Sequence, residues 1–205
     1  MIEYLAVFIT FFAVIDPIGT IPVFIAVTAK YDQKTKRRIA LLATIVAAFV
    51  LIFFVVVGEI LLKALSIPLS AFQISGGIVL FLFALNMIFG DSKPEEEIKS
   101  LNDSHRDTAI FPLAVPSIAS PGAILAAVLL TENAMFSIVE QLQTALVMLS
   151  VLLVTYILML ISGFITKCIG MSGASVVSRV MGLILSAIAT TNILNGFSEY
   201  YQLLP

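Results

Sequence analysis

Long apolar runs separated by short polar ones set the pattern of this chain. They extend from Tyr4 to Thr28, Ile39 to Leu62, Pro68 to Phe89, Ala109 to Thr131, Leu142 to Thr166 and Val176 to Gly196. Each matches the roughly 20 residues that a helix needs to cross about 30 Å of hydrocarbon. Lipid offers the backbone no hydrogen-bond partners, so each run must satisfy its own amides, which predicts helix throughout. The expected fold is all-α and membrane-embedded, with six transmembrane helices. The second run is the cleanest, with no charge or proline from Ile39 to Gly58, whereas the first and fourth carry prolines near their middles.

One polar stretch stands apart. Gly90 to Thr108 (GDSKPEEEIKSLNDSHRDT) is too charged to enter the bilayer, so residues 91–108 read as a linker between a first three-helix unit, 1–90, and a second, 109–205. Lysine and arginine fall almost wholly on one side of the predicted spans. Lys30, Lys34, Lys36, Arg37, Arg38, Lys93, Lys99, Arg106, Lys167 and Arg179 lie there, and Lys63 alone lies opposite. The positive-inside rule then puts segments 29–38, 91–108 and 167–175 in the cytoplasm and both termini outside, in a multi-pass protein of the cytoplasmic (inner) membrane. Met1-Ile2-Glu3 runs straight into apolar residues without a basic leader or cleavage site, so the first run is expected to be a span and not a signal peptide.

Composition narrows the function classes. With 60% of its 205 residues hydrophobic and 12% charged, the chain lies outside the range of soluble domains, and its net charge of -2 gives nucleic acid nothing to bind. The lone Cys168 and lone His105 lie in different segments, so no disulfide, metal site or other cofactor is expected. An intramembrane aspartyl protease would need a second carboxylate beside Asp16, and a serine enzyme a base near Ser117 or Ser120. Neither is present in a span, and an enzyme is not expected.

The two units share landmarks at a nearly constant offset. Pro17 matches Pro121 and Lys63 matches Lys167 at 104, Gly58 matches Gly163 at 105, and Gly76, Asn86 and Gly90 match Gly182, Asn192 and Gly196 at 106. Three spans per unit reverse the orientation of the second copy, which is the inverted-repeat layout of many secondary transporters.

The prolines give the pattern chemical content. Asp16-Pro17-Ile18-Gly19-Thr20-Ile21-Pro22 interrupts span one, and Pro112 to Gly122 interrupts span four. Asp16-Pro17 and Ser120-Pro121 each read as an N-cap followed by proline at the first helical position, so a helix is expected to restart near the bilayer midplane in each unit. Restarted helices offer free N–H groups and the positive end of a dipole, which attract carboxylates. Gly19 and Gly122 would let a ligand approach the backbone. The plainer alternative is a pair of proline kinks repaired by neighbouring side chains. Asp16 is the ionisable residue nearest the centre of a span, and two roles stand open for it: proton coupling or ammonium binding, or N-capping alone. Asn86 and Asn192 are expected either to bind ligand or to join helices, the latter worth about 1 kcal/mol. The candidate substrate site thus comprises Asp16, Pro17, Ile18, Gly19, Thr20, Asn86, Ser117, Ser120, Pro121, Gly122, Ala123 and Asn192. Glu59 and Lys63 read as an ion pair at a helix end, and Gly182, Ser186 and Thr190 as a close-packing face.

These motifs resemble those of the MarC family of six-span membrane proteins, sometimes called the neutral amino acid transporter family. Asp16-Pro17-Ile18-Gly19-Thr20-Ile21-Pro22 is similar to its D-P-x-G-N-x-P pattern, and Pro112-Leu113-Ala114 with Pro116 to Ile124 is similar to P-L-A-x-P-x-x-A-G-P-G-x-I. Phe72 to Gly77 and Ser178 to Gly182 resemble its x-R-I-A-G-G and S-R-L-M-G elements. Thr20, Gln73 and Ser120 depart from the usual Asn, Arg and Gly, which bears on which substrate fits. The resemblance implies transport of small neutral amino acids such as glycine and alanine, with the proton gradient as a candidate driving force. Partners would then be the lipid bilayer and a small-molecule substrate. Nothing in the pattern speaks to oligomeric state. Competing expectations are an exporter or channel for another small polar solute, and a membrane scaffold or regulator without flux.

Overall fold

The computed structural model describes residues 4–89, 108–133 and 135–202. Among the described residues eight helical segments follow one another: α1 (Tyr4–Ile15), α2 (Thr20–Thr28), α3 (Gln33–Ala64), α4 (Leu69–Phe89), α5 (Ala109–Ile118), α6 (Pro121–Leu129), α7 (Ile138–Leu160) and α8 (Ser162–Tyr200). Five stretches are long and apolar enough to cross a membrane: Tyr4–Thr28, Gln33–Ala64, Leu69–Phe89, Ile138–Leu160 and Val176–Tyr200. Together α5 and α6, bent by 55° at a short break, pass the same test as a pair, which makes up to six. The chain is therefore an all-helical, multi-pass integral membrane protein. The polar linker expected at 91–108 lies, apart from Thr108, outside the described residues, as do His105, Gly90 and the side chains of Lys167 and Cys168.

Helix ends are set by polar chemistry that hydropathy alone does not register. Asp32, in extended backbone, accepts a hydrogen bond from Thr35 N–H at 3.4 Å and starts α3 six residues ahead of its first apolar residue, Ile39. Ser137 and Glu140 form a reciprocal capping box that starts α7. The loop expected at 167–175 is instead helical on both sides of a single interruption, Gly170, whose φ of 67° suits glycine.

Packing divides the helices into two groups. Segments α5, α6 and α7 pack against α3, and α6 and α7 also against α1, while α4 packs chiefly along α8. The latter pair is antiparallel: Gly77 lies against Ala189 and Ile193, Gly182 against Ala84 and Met87, and Gly196 against Ser70 and Ile74. A Cβ at Gly182 or Gly196 would sit 3.0 or 2.9 Å from a carbonyl oxygen of α4, so glycine is required for this approach. In lipid, close van der Waals contact replaces the hydrophobic effect as the force joining helices. The seam on α8 comprises Gly182, Leu185, Ala189 and Gly196, all buried, and not the expected Gly182, Ser186 and Thr190. A strict four-residue step rotates about 40° around an α-helix each time, which carries Thr190 out to the exposed surface. There Ser186 and Thr190 donate to Leu183 O and Ser186 O within their own helix.

Candidate functional site

The first interruption is built around Asp16. Pro17 has no N–H to continue α1, and Asp16 takes a left-handed backbone (φ 51°), which aspartate tolerates better than most residues. Its own N–H still bonds Phe12 O at 3.1 Å, and its carbonyl accepts Thr20 N–H and the Thr20 hydroxyl, each at 3.0 Å. One residue therefore joins two helices. Its carboxylate folds forward so that Oδ1 accepts Gly19 N–H at 3.0 Å, filling the space that a side chain at position 19 would need. Regular helix begins at Thr20, a turn later than the sequence suggests.

The second interruption follows from two prolines. Phe111 and Val115, each preceding one, are extended (φ -126° and -133°), as the ring of a following proline demands, and both X-Pro bonds are cis. Segment α5 closes with a wide turn, Ala119 N–H to Ala114 O at 2.8 Å. Ser120 then opens α6 as the sequence implies, its Oγ accepting Ala123 N–H at 3.1 Å with Pro121 at the first position.

The two interruptions meet. The Ser120 hydroxyl donates to Val14 O at 2.6 Å, one of the end carbonyls that a helix leaves without a donor. Thr20 and Ser117 bring their hydroxyl oxygens to 3.5 Å. Thus the start of α6 faces the end of α1, a positive helix end set against a negative one, and the start of α2 faces the last residues of α5. The junction is closed: Asp16, Thr20, Ser117 and Ser120 are between 0 and 4% exposed.

Other candidate residues take varied places. Pro17, Gly122 and Ala123 are buried, while Ile18 and Pro121 are half-buried. The face of Gly122 is covered by Leu80 of α4, with Leu80 Cδ1 at 2.5 Å from where a Cβ would stand. Asn86 is exposed on α4 and Asn192 half-buried on α8, and neither side chain bonds another described residue. A cavity of about 670 Å³ lies elsewhere, at the far end of α2, between the start of α3 and the α7–α8 turn. Glu59 pairs with Lys63, as its spacing implies, and also accepts Asn133 N–H at 2.8 Å and Asn133 Nδ2 at 2.6 Å. Gln141 Nε2 bonds Asn133 Oδ1 at 2.9 Å, so one asparagine ties the connection before α7 to α3 and to α7 itself. No spacing rule would have found this link between distant residues. In the same connection, burial pushes the Glu132 carboxyl above its usual range, helped by the charges of Glu199 and Glu59 and opposed by Lys63.

Comparison with known proteins agrees in kind. The profile described as "MarC family integral membrane protein" matches residues 1–201. UPF0056 membrane protein MJ1677 of Methanocaldococcus jannaschii is 34% identical, over 94% of this chain and 95% of its own. UPF0056 membrane protein YvbG of Bacillus subtilis is 32% identical over 97% and 95%. A UPF0056 membrane protein of Archaeoglobus fulgidus is 34% identical over 96% and 92%. No solved structure matches the chain.

Proposed function

The chain belongs to the MarC family of integral membrane proteins, and on that premise we propose that it is a secondary transporter of small neutral amino acids of the glycine and alanine type. Its two three-span units are inverted repeats in the cytoplasmic membrane, with both termini outside and the two interruptions near the midplane. One contact carries this proposal: the Ser120 hydroxyl on Val14 O, with Thr20 opposite Ser117. A zwitterion has one charge for each kind of helix end. Its carboxylate takes the place of the capping side-chain oxygens at the N–H groups that open α6 or α2, and its ammonium replaces the Ser120 hydroxyl at carbonyls such as Val14 O. The buried junction corresponds to an occluded state, and separating its two sides admits substrate from one face at a time. Asp16 couples the cycle to protons, since its carboxylate holds the start of α2 and its protonation weakens that hold.

Uptake of labelled glycine and alanine into proteoliposomes, with and without an imposed pH gradient, tests the function. Accumulation that unlabelled glycine or alanine competes away is the expected result, and silence under both conditions removes the amino acid claim. A reporter fused after Pro205 is expected to be active outside the cell, and a cytoplasmic signal would invert the orientation.

A further inference from the structure

The cavity at the far end of α2 belongs to neither interruption, yet its wall is chemically two-sided. Lys36 and Arg37, in the first turns of α3, form one side. Leu160, Ile161 and Phe164 form another, and these same residues are 39, 44 and 70% exposed, so that side continues onto the apolar outer surface of the protein. Among the described residues no carboxylate pairs with Lys36 or Arg37. Asp32, the nearest acid in sequence, accepts Thr35 N–H of its own helix instead. At about 670 Å³ the space falls within the range of ligand pockets, about 300–1,000 Å³.

We infer that this cavity is a binding site for an anionic phospholipid, its phosphate held by Lys36 and Arg37 and its acyl chains lying over Ile161 and Phe164. A soluble anion would satisfy the two cations but leave the adjoining apolar wall uncovered, whereas a phospholipid matches both at once. Zwitterionic lipid offers the same chains, but its added cation opposes the two basic groups. This site does not depend on transport, because it lies away from the interruptions and its test reads binding alone.

Native mass spectrometry of the full chain, released from detergent with added phosphatidylglycerol, phosphatidylcholine of the same chains, or inorganic phosphate, provides the test. Retention of one phosphatidylglycerol in preference to phosphatidylcholine is expected. Each basic group near the membrane surface contributes about a fivefold effect, so the Lys36→Gln/Arg37→Gln variant should bind phosphatidylglycerol about thirtyfold more weakly. Gly163→Leu supplies a second variant that keeps both charges. Gly163 lines the cavity with no described atom within 4 Å of its Cβ position, so the new side chain enters open space and should displace the lipid. Equal retention of both lipids, or undiminished phosphatidylglycerol binding in both variants, would overturn the assignment. So would inorganic phosphate binding as tightly as the lipid, which would make the site one for a soluble anion.

Discussion

Replacing Gly19 by alanine isolates the device that joins α1 to α2. The backbone at Gly19 is helical (φ -67°, ψ -20°), so alanine meets no conformational objection there. Its Cβ would, however, stand 2.6 Å from Asp16 Cγ and 2.9 Å from Oδ1, and the carboxylate must swing away. The bond from Gly19 N–H is then lost inside the protein, at a cost of about 1–3 kcal/mol. Alanine's lower conformational entropy in the unfolded chain returns about 0.4–1 kcal/mol, leaving a net loss on the order of 1 kcal/mol. In an Asp16→Ala background the obstruction is absent, and the same change should stabilise by about 0.4–1 kcal/mol. The two effects have opposite signs, and a double-mutant cycle should return a coupling of about 2 kcal/mol. The strain of alanine at the left-handed position 16 is common to both arms and cancels. Reversible unfolding by SDS in mixed micelles, followed by far-ultraviolet circular dichroism, gives all four stabilities. An equal effect of Gly19→Ala in both backgrounds would refute the carboxylate as the reason for glycine at 19.

Further outcomes follow from the same geometry. Ser120→Ala removes both the cap on Ala123 N–H and the donor to Val14 O, and should cost about 2 kcal/mol in the same unfolding assay. Ser117→Ala loses only a contact at the 3.5 Å limit and should cost less than about 0.5 kcal/mol, so equal losses would contradict this division. Asp16→Asn keeps an acceptor for Gly19 N–H but cannot titrate, so glycine uptake should persist while its stimulation by a pH gradient disappears; unchanged stimulation removes the coupling role. Glu132→Gln should stabilise the protein at neutral pH. Below the ordinary carboxyl value of 4.5 both folded and unfolded chains hold the proton, and the variant should match the parent. As pH rises, the unfolded chain ionises more readily than the folded one, so the parent loses stability that the variant keeps. A stability difference independent of pH would exclude this origin.

The spans were legible because burial in lipid is written in composition. Tyr4–Thr28 agrees at both ends, and Leu69–Phe89 and Val176–Tyr200 differ from the expected runs only at one end. Hydropathy stops where polarity begins, so the first turns of α3, Gln33 to Arg38, carry no apolar signal although Asp32 announces them. Ser120 as a cap was readable from Ser-Pro-Gly, since capping is local. What Gly19 and Gly122 accommodate was not readable. The first yields to a carboxylate three residues away and the second to Leu80 of another span, and a sequence marks a missing side chain without saying what fills its place. The α8 seam differs for another reason: Ser186 and Thr190 follow Gly182 at four-residue spacing, but rotation about the helix decides which residues face α4.

The seam between α4 and α8 has a bearing on biosynthesis. Its halves are far apart in the chain, with α5, α6 and α7 between them, and at Ser70 and Ala84 the contact is with backbone oxygens, which cannot step aside as a side-chain tip can. Through most of translation, α4 therefore waits in the bilayer with its glycine face covered only by lipid. Closure comes when α8 is released, and because Gly196 lies within the final turns of α8, a truncation that removes it uncovers the Ser70–Ile74 end of α4 while the contacts of Gly182 and Ala189 remain.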